Sequence, residues 1–302
     1  IDLSKAFDKV NHHALFIKLM NRYLPVCLLD LLEFWLSNSW SCIKWSDVYS
    51  PFFNICFGVR QGSVLSPYLF AVYLNDLVDG RYNGRYSFVI LYADDILILT
   101  SLLTELQRLL HACEEELAWL DMSINISKSC CLRIGPRYDF KCYSILTTNG
   151  LPLPWATELR YLGVYILSSR VFKCSQDHAK RAYYRSLNAI FGKIGRSASE
   201  EVILQLVSSK CLPILLYASE ACGLNQSDIR SLDFVVNRFL MKLFKTANLG
   251  VIQDCLSYFN FKLPSTLLVT RTHNFLAKYS NCENFICKLF SNFNTATRVH
   301  NV

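Results

Sequence analysis

The sequence predicts an α+β fold: an antiparallel sheet with helices on one face, followed by a mainly helical region. Short runs rich in Val, Ile, Leu and Tyr recur between residues 40 and 167 and predict strands. Between these runs, apolar residues recur every three or four positions, which predicts helices. Beyond Ser175 only the helical spacing remains. With 302 residues, of which 52% are hydrophobic, the chain can bury a sizeable core and is long enough for two domains.

The predicted order begins with a truncated strand at Asp2, which two helices follow. Apolar side chains at helical spacing predict one helix that starts after Asn11 and ends before Pro25, and residues 28–36 predict a second. Residues 40–57 are typical of a pair of strands that ends at a glycine-containing loop. A third helix is expected over residues 65–77, with Ser66 as its cap and Pro67 in its first turn.

A hydrophobic hairpin is expected next. Residues 86–92 and 96–100 predict two strands around the short tip Ala93-Asp94-Asp95, so two acidic side chains lie at its turn. Leucines spaced three and four apart then predict an amphipathic helix over residues 102–120. Further strands are expected at about 129–134, 140–146 and 159–167. This order of elements is that of an α+β layer.

The charge of the chain is distributed unevenly. Residues 1–170 hold 15 Lys and Arg against 16 Asp and Glu, a net charge of −1, whereas residues 171–302 hold 16 against 8, a net charge of +8. This asymmetry indicates that the C-terminal part handles a polyanion. A predicted helix over residues 179–196 has an apolar face and an opposite face with four cations, Arg181, Arg185, Lys193 and Arg196. That face either binds phosphates or is ordinary solvated surface.

Two classes of protein are disfavoured by composition. No apolar run approaches the roughly 18 residues that a membrane span needs, so we expect no membrane association. The 13 cysteines follow no regular spacing, and no signal segment precedes them. We therefore expect reduced thiols and an intracellular location, in the nucleus, the cytoplasm or both. The chain opens on Ile1 without a methionine, which suggests a piece of a longer polyprotein.

The adjacent carboxylates Asp94 and Asp95 indicate a cation site. Like charges repel each other and raise each other's pKa unless a cation neutralises them. Mg²⁺ is the natural candidate, because it prefers hard oxygen ligands and typically uses one or two carboxylates together with substrate phosphates. Nucleotidyl transfer by two metal ions needs another carboxylate from a neighbouring strand, and Asp2 can supply it. One acidic pair alone remains an unspecific signal.

Five segments in a fixed order make the signal specific. They are Asp2-Leu3-Ser4-Lys5-Ala6-Phe7, Gly58-Val59-Arg60-Gln61-Gly62 through Ser66-Pro67, Tyr92-Ala93-Asp94-Asp95, Asn125 to Lys128, and Leu162-Gly163. In this order they resemble the palm motifs of reverse transcriptases. The stretches DLSKAFDKVNH and GVRQGSVLSP resemble the LINE-type (non-LTR retrotransposon) branch. The resemblance covers residues 1 to about 170 and extends more loosely over the rest, where LPILLYASEA looks like that branch's thumb.

The resemblance implies a right-hand polymerase palm over residues 1–170, without the N-terminal fingers, and a helical thumb over residues 171–302. It implies RNA-templated DNA synthesis as part of a retrotransposon polyprotein, with an RNA template, a DNA primer and dNTPs as partners. By the family's pattern, Asp2, Asp94 and Asp95 bind two Mg²⁺ or Mn²⁺ ions, with Asp2 and Asp94 as the direct ligands. Lys128 matches the family's lysine near the leaving group, where an ammonium donates a proton or offsets charge.

The remaining implied residues contact the nucleotide and the primer. Phe7 matches the bulky side chain under the incoming sugar, where an aromatic ring collides with a ribose 2′-hydroxyl. Gln61 and Gly62 match the residues beside the nucleotide and the template base, and Arg60 adds positive charge there. Leu162 and Gly163 match the family's turn between two strands, against which the primer end binds. Asp8, His12 and His13 are expected to hold a turn and begin the next helix.

Two other functions remain open at this point. A decayed or domesticated copy would keep the fold and the basic thumb and only bind nucleic acid. A group II intron-type maturase shares the palm motifs and also binds its intron RNA. Without the fingers, the isolated chain is expected to have weakened activity or none. The sequence leaves the oligomeric state undecided.

Overall fold

A computed structural model of the chain describes residues 1–77, 87–194, 197–284, 287, 288 and 290. The chain forms two compact units. The first consists of Ile1–Leu132 and Phe140–Ala156, and the second of Arg133–Asp139 and Thr157–Val302. The predicted boundary at residue 170 divides palm from thumb by function and stays a prediction.

The first unit contains the predicted order of helices and strands. Its helices are α1 (His12–Asn21), α2 (Val26–Ser37), α3 (Ser66–Leu74) and α4 (Leu103–Trp119), with 3₁₀ turns at Phe7–Lys9 and Asn75–Leu77. Its strands are β1 (Trp40–Ser41), β2 (Lys44–Trp45), β3 (Val48–Tyr49), β4 (Phe53–Asn54), β5 (Ser87–Tyr92), β6 (Asp95–Thr100), β7 (Cys131–Leu132), β8 (Ile145–Leu146), β9 (Pro152–Leu153) and β10 (Trp155–Ala156). The expected hairpin and the expected helix over residues 102–120 are both present.

The strands form short ladders instead of one continuous sheet. β1 pairs with β4, β2 with β3, β5 with β6, and β8 with β9, all antiparallel, whereas β7 and β10 are parallel. The β5–β6 hairpin is the longest ladder and runs from the pair Ser87 and Thr100 to the pair Tyr92 and Asp95. Single antiparallel bridges join Asp2 to Asp95 and Leu3 to Ile124. Residues 1–3 therefore lie between the hairpin and the segment around residue 124.

Tyr73 fixes the helices of this unit relative to one another. Its side chain is fully buried, its hydroxyl donates to the Leu120 carbonyl at 2.7 Å, and it accepts from the Asn11 amide at 3.2 Å. Asn11 also caps α1, because its side chain accepts from the amides of His13 and Ala14. One buried hydroxyl thus connects α3 with the end of α4 and the start of α1, and its hydrogen-bonding capacity is satisfied.

The cap predicted at Ser66 is wrong. Ser66 is the first residue of α3, it is 1% exposed, and its hydroxyl has no hydrogen-bond partner among the described residues. The cap position belongs to Leu65, whose backbone is already helical at φ −83° and ψ −27°. The chain turns one residue earlier than expected, so the Ser66 hydroxyl is buried away from the free amides of the first turn. Pro67 occupies the first turn, as predicted.

The second unit is a small sheet followed by helices. Strands β11 (Glu158–Tyr161), β12 (Val164–Leu167) and β13 (Cys174–Ser175) form an antiparallel sheet in that order. The helices are α5 (Asp177–Ile194), α6 (Glu200–Leu206), α7 (Leu212–Leu215), α8 (Gln226–Leu243), α9 (Leu249–Tyr258) and α10 (Pro264–Ser280), with a π-helical stretch at Val207–Cys211. The predicted apolar face of α5 packs into their core through Tyr183 and Leu187.

Two properties of the whole chain bear on its environment. All 13 cysteines lie among the described residues, and none of them is in a disulfide. Burial raises the pKa of the Cys131 thiol to about 11, which keeps it protonated at neutral pH. Among the described residues, no helix combines the length and the apolar character that crossing a membrane would require.

Candidate active site

The hairpin of β5 and β6 displays the acidic pair. Tyr92 and Asp95 form its last backbone pair, so Ala93 and Asp94 are the two turn residues. Ala93 has a φ of 51°, a left-handed conformation that costs a residue with a side chain roughly 1 kcal/mol. Asp94 and Asp95 are both partly exposed. A tight, strained turn therefore presents two carboxylates at the end of a ladder whose other end is buried.

Backbone pairing brings Asp2 to the same place. Asp2 lies directly opposite Asp95 in an antiparallel bridge, and side chains at such opposed positions project from the same face of a sheet. The Asp2 carbonyl accepts from the Asn125 amide at 2.9 Å, and the Asp2 amide donates to the Ser129 hydroxyl at 3.0 Å. Ser129 is 2% exposed. Asp2 is thus held on one side by the hairpin and on the other by residues 125–129.

The carboxylates lie in an electrostatically unfavourable cluster. Burial raises the pKa of Asp95, and the negative charges of Asp94 and Asp2 raise it further. One carboxylate oxygen of Asp2, Oδ2, is buried and makes no hydrogen bond within the described part of the chain. The Lys128 ammonium lies 3.8 Å from that oxygen, too far for a hydrogen bond but close enough for attraction. A cation at this site would relieve both the repulsion and the unmet bonding capacity.

The three carboxylates do not form a closed metal cage. In the ranges that the structure covers, no three acidic, histidine or cysteine side chains are grouped closely enough to hold a metal ion by themselves. Lys128 is itself largely exposed, with 68% of its side chain accessible. The site consists of a carboxylate pair across a backbone bridge, a third carboxylate in the adjoining turn, and an exposed cation beside them.

Backbone hydrogen bonds join the segment around Phe7 to the loop at residues 58–62. The Val59 amide donates to the Phe7 carbonyl at 2.8 Å, and the Gly58 amide donates to the Val10 carbonyl at 2.8 Å. Gly58 has a φ of +83°, and a Cβ added there would meet the Phe7 and Asp8 carbonyl oxygens at 2.9 Å. Only glycine therefore allows the two motifs to approach this closely.

The Phe7 ring is held rigidly by the core. It stacks on Phe70 with 4.5 Å between ring centroids and an interplanar angle of 19°. Phe70 is 1% exposed and belongs to the main hydrophobic cluster of this unit, against which Phe7 packs while half-buried. The exposed side of the ring is consequently a fixed wall and not a mobile side chain.

Arg60, Gln61 and Gly62 are exposed on the loop that Gly58 begins. The Gln61 amide nitrogen lies 3.5 Å from a carboxylate oxygen of Asp8. His12 begins α1, and its Nε2 lies 2.7 Å from the Gly58 carbonyl oxygen, which agrees with the expectation that it holds a turn and starts a helix. Arg60, Gln61, Asp8 and His12 line a cavity of about 510 Å³ together with residues of α2.

In the second unit, Leu162 and Gly163 are the two turn residues between β11 and β12. Tyr161 and Val164 are the last backbone pair, and the turn residues have φ values of 47° and 82°. Two consecutive left-handed residues match the mirror-image turn that closes a tight hairpin. The Tyr217 hydroxyl donates to the Leu162 carbonyl at 3.2 Å.

The predicted basic face lies on α5. Arg181, Arg185 and Lys193 are exposed, and Arg181 donates through Nε to the Asp177 carbonyl at 3.3 Å. Arg196 lies outside the described residues. The apolar face of the same helix is turned to the core, so the exposure of the three cations agrees with the predicted division of the helix into two faces.

The partners of three side chains at these sites were not predicted from the sequence. Ser129, His12 and Tyr217 each bond to a backbone group at least 46 positions away along the chain, at Asp2, Gly58 and Leu162. These partners depend on tertiary contacts, which single-sequence patterns do not encode. The sequence pointed only to the positions: Ser129 follows Lys128 directly, His12 was expected to hold a turn, and Tyr217 lies in the stretch LPILLYASEA.

Comparison with known proteins identifies the family of the first part of the chain. The family described as "Reverse transcriptase (RNA-dependent DNA polymerase)" matches residues 1–166. The RNA-directed DNA polymerase from mobile element jockey of Drosophila funebris is 28% identical over 240 residues, which are 74% of this chain and 25% of that protein. The probable RNA-directed DNA polymerase from transposon BS of Drosophila melanogaster is 25% identical over 244 residues, 74% of this chain and 26% of its own length.

A third relative covers less of the chain. The probable RNA-directed DNA polymerase from transposon X-element of Drosophila melanogaster is 28% identical over 176 residues, 55% of this chain. The chain thus spans about a quarter or less of the length of these relatives. The family match covers more than half of the chain and includes the hairpin carboxylates, Asp2 and the loop at residues 58–62. The chain therefore belongs to the reverse transcriptase family, of the LINE type, and residues 1–166 have the polymerase palm fold that this family implies.

Proposed function

We propose that the protein synthesises DNA on an RNA template by transferring nucleotides from dNTPs to a primer 3′-hydroxyl, as part of a retrotransposon protein. The observation that supports this most directly is the cross-strand pair of Asp2 and Asp95, with Asp94 in the adjoining turn. Asp2 lies more than 90 positions before Asp94 and Asp95 in the chain, and bringing these like charges together without a cation would destabilise the fold through repulsion. The RNA template, the DNA primer and the dNTPs are the partners that this proposal requires.

The donor set suits two Mg²⁺ ions, or Mn²⁺ in their place. Mg²⁺ usually binds one or two protein carboxylates and completes its octahedron with water and substrate phosphates, so a closed protein cage is not needed. Asp2 and Asp94 would be the direct ligands and Asp95 the neighbouring charge. When bound, the ions lower the pKa of the attacking hydroxyl and neutralise the triphosphate.

The surrounding side chains have separate tasks in this proposal. Lys128, which is exposed and lies close to Asp2, would offset charge at the leaving pyrophosphate or donate a proton to it. The fixed Phe7 ring would lie under the deoxyribose and exclude a 2′-hydroxyl. Gln61 and Gly62 would contact the nucleotide and template base, and Arg60 would attract the triphosphate.

Primer extension tests the proposed activity. The protein, expressed from its complete open reading frame, is mixed with a labelled DNA primer annealed to a heteropolymeric RNA, with dNTPs and Mg²⁺. Extension to the end of the template is expected, and EDTA should stop it. A folded protein that binds the duplex without extending it would be a binding remnant, and the proposal would fail. Specific binding of an intron RNA would instead favour the maturase.

We also propose that residues 171–302 form the thumb and hold the primer–template duplex through its phosphates. The net charge of +8 lies in this part, and three of the four predicted cations are exposed on α5 away from its buried face. Phosphate contacts carry little sequence information, so affinity should be similar for duplexes of different sequence.

We also propose that the protein acts inside the cell, in the nucleus, the cytoplasm or both. Its 13 cysteines form no disulfides, which suits a reducing compartment.

Replacement of Arg181, Arg185, Lys193 and Arg196 by Gln should weaken the salt dependence of duplex binding. Each lost phosphate contact is expected to lower the slope of log affinity against log salt by about 0.7 to 0.9. Gln is a good helix former, so α5 should stay folded. Binding is measured by anisotropy between low and moderate salt.

Arg108→Gln is the control for this variant, because it removes an exposed cation whose guanidinium already pairs with Glu105 at 2.6 Å. Its salt slope should match that of the unmodified protein. An unchanged slope in the quadruple variant would make the α5 face ordinary solvated surface, and the duplex would have to be held elsewhere.

A further inference from the structure

Tyr217 covers the turn formed by Leu162 and Gly163. Its hydroxyl donates to the Leu162 carbonyl at 3.2 Å, and its ring lies so close that a Cβ added to Gly163 would be 3.1 Å from the ring atom Cε1. Yet Tyr217 is 58% exposed, so it is not a core residue whose position follows from burial. An exposed tyrosine with its hydroxyl on a turn carbonyl has a specific contact that packing alone does not require.

The turn itself is one that its sequence does not favour. Leu162 has a φ of 47°, where Asn, Asp or Gly would be expected in such a turn. A leucine in this conformation is strained and persists only when the surrounding structure fixes it. The Tyr217 hydroxyl bond to the Leu162 carbonyl supplies such a restraint from outside the hairpin.

A basic cleft of about 540 Å³ lies beside this turn. Its walls include Arg160 on β11, Arg185 on α5 and the Tyr217 ring, with Gly163 at the turn. His178 also lines the cleft; its ring stacks on Tyr165 at 3.5 Å between centroids, and its Nε2 lies 3.1 Å from a carboxylate oxygen of Glu158. Both arginines are exposed, so the cleft suits the phosphate of a nucleic-acid strand.

We propose that Tyr217 is a positioning residue for the primer end: it fixes the Leu162–Gly163 turn beside the phosphate-binding arginines Arg160 and Arg185. This inference rests on the proposed function, since it takes a primer strand as the ligand of the turn. Loss of the hydroxyl would leave the duplex bound through its other phosphates but would let the primer terminus shift. A shift of about 1 Å at a reacting group can cost about 100-fold in rate.

The test compares Tyr217→Phe, which removes only the hydroxyl, with Tyr217→Ala, which also removes the ring. Single-turnover primer extension separates the active fraction, seen as the amplitude, from the rate constant. We expect the rate constant to fall about fivefold in Tyr217→Phe, the factor that one hydrogen bond typically contributes. In Tyr217→Ala it should fall up to about 100-fold. The amplitude and the Kd for the duplex should stay within about twofold of the unmodified protein.

If Tyr217 only stabilises the fold, its variants should show a smaller amplitude and an unchanged rate constant. That result would overturn the inference. Tyr49→Phe is the matched control, because Tyr49 is equally exposed at 58% and lies on β3 in the other unit. It should change neither quantity.

A second measurement does not depend on catalysis. A primer with 2-aminopurine as its 3′-terminal base reports the stacking of that base in the bound complex. Its fluorescence should differ between the unmodified protein and Tyr217→Ala at saturating protein concentration. If the unmodified protein binds this duplex but never extends it, the proposed polymerase function fails and the fluorescence still decides the role of Tyr217. Equal fluorescence in both proteins would overturn that role.

Discussion

Replacement of Asp94 by Asn is expected to lower primer extension by about three orders of magnitude or more while the protein stays folded. Loss of one metal-binding carboxylate weakens the charge neutralisation on which phosphoryl-type transfer depends, and about 4 kcal/mol of lost stabilisation corresponds to roughly a thousandfold in rate. Asp94 lies in a partly exposed turn and not in the core. The measurement is the extension rate at saturating primer–template, dNTP and Mg²⁺ concentrations.

The same substitution has a predicted effect on stability. Burial and the negative charges of Asp94 and Asp2 raise the pKa of Asp95 in the folded protein. The folded state then binds more protons than the unfolded state, so stability falls as the pH rises from the ordinary carboxyl pKa through the raised one. Removal of the Asp94 charge should lower the pKa of Asp95, so the protein should lose less stability as the pH rises. The melting temperature at neutral pH should therefore be unchanged or slightly higher.

Asp47→Asn is a geometrically matched control. Asp47 follows Ser46 in the two-residue turn between β2 and β3, and Ser46 has a φ of 53°, close to the 51° of Ala93. The control changes the same residue type at the same position of a similar turn without the neighbouring carboxylates. Near-normal extension by a well-folded Asp94→Asn protein would contradict the catalytic assignment.

Replacement of Phe7 by Val is expected to reduce discrimination against ribonucleotides by up to about 100-fold, and more than it reduces total synthesis. The stack on Phe70 holds the Phe7 ring in place, so a 2′-hydroxyl cannot push it aside. A smaller side chain opens that space, and a pocket without this barrier rejects an added hydroxyl only weakly. Single-nucleotide extension with matched dNTP and rNTP gives the ratio of kcat/KM values.

The Phe70→Leu variant distinguishes the effect of the size of the Phe7 ring from the effect of the stacking that holds this ring in place. This variant keeps the Phe7 ring but removes its stacking partner, and it should destabilise the protein by about 1 to 3 kcal/mol as a core substitution. Its discrimination should fall less than that of Phe7→Val. Unchanged discrimination in Phe7→Val would assign Phe7 to the core alone. Phe7→Ala is expected to act in the same direction but with a larger stability cost, because the residue packs against the main cluster.

Local patterns predicted the elements that have strong local determinants. The β5–β6 hairpin follows from β-branched runs on either side of a two-residue tip, and α4 buries the predicted stripe at Leu109, Cys113 and Leu117. The expected pair of strands at residues 40–57 became two short ladders, β1 with β4 and β2 with β3. Ser66 was misassigned because α3 starts one residue earlier than expected, with Leu65 at the cap position.

The sequence predicted which residues form the site, but it did not predict the hydrogen bonds that hold them in place. The order of motifs indicated Asp2, Asp94 and Asp95, and the structure pairs Asp2 with Asp95. The Asp2 amide is held by Ser129, which lies 127 positions away along the chain, and in the second unit Tyr217 bonds to Leu162, 55 positions away. Such contacts leave no periodic or compositional trace, so they appear only when the chain is folded.

The placement of residues 1–3 between the hairpin and residue 124 has a consequence for how the protein is made. Asp2 leaves the ribosome before any of its partners, and its bridge to Asp95 and its bonds to Asn125 and Ser129 close loops of roughly 90 to 130 residues. Closing such long loops has an entropic cost that local helices do not have, so contacts of this range form slowly. During synthesis the helices can form early, but the bond that holds the Asp2 amide can form only after Ser129 has emerged. A chain that ends before Ser129 would carry Asp2, Asp94 and Asp95 but would lack this support of Asp2.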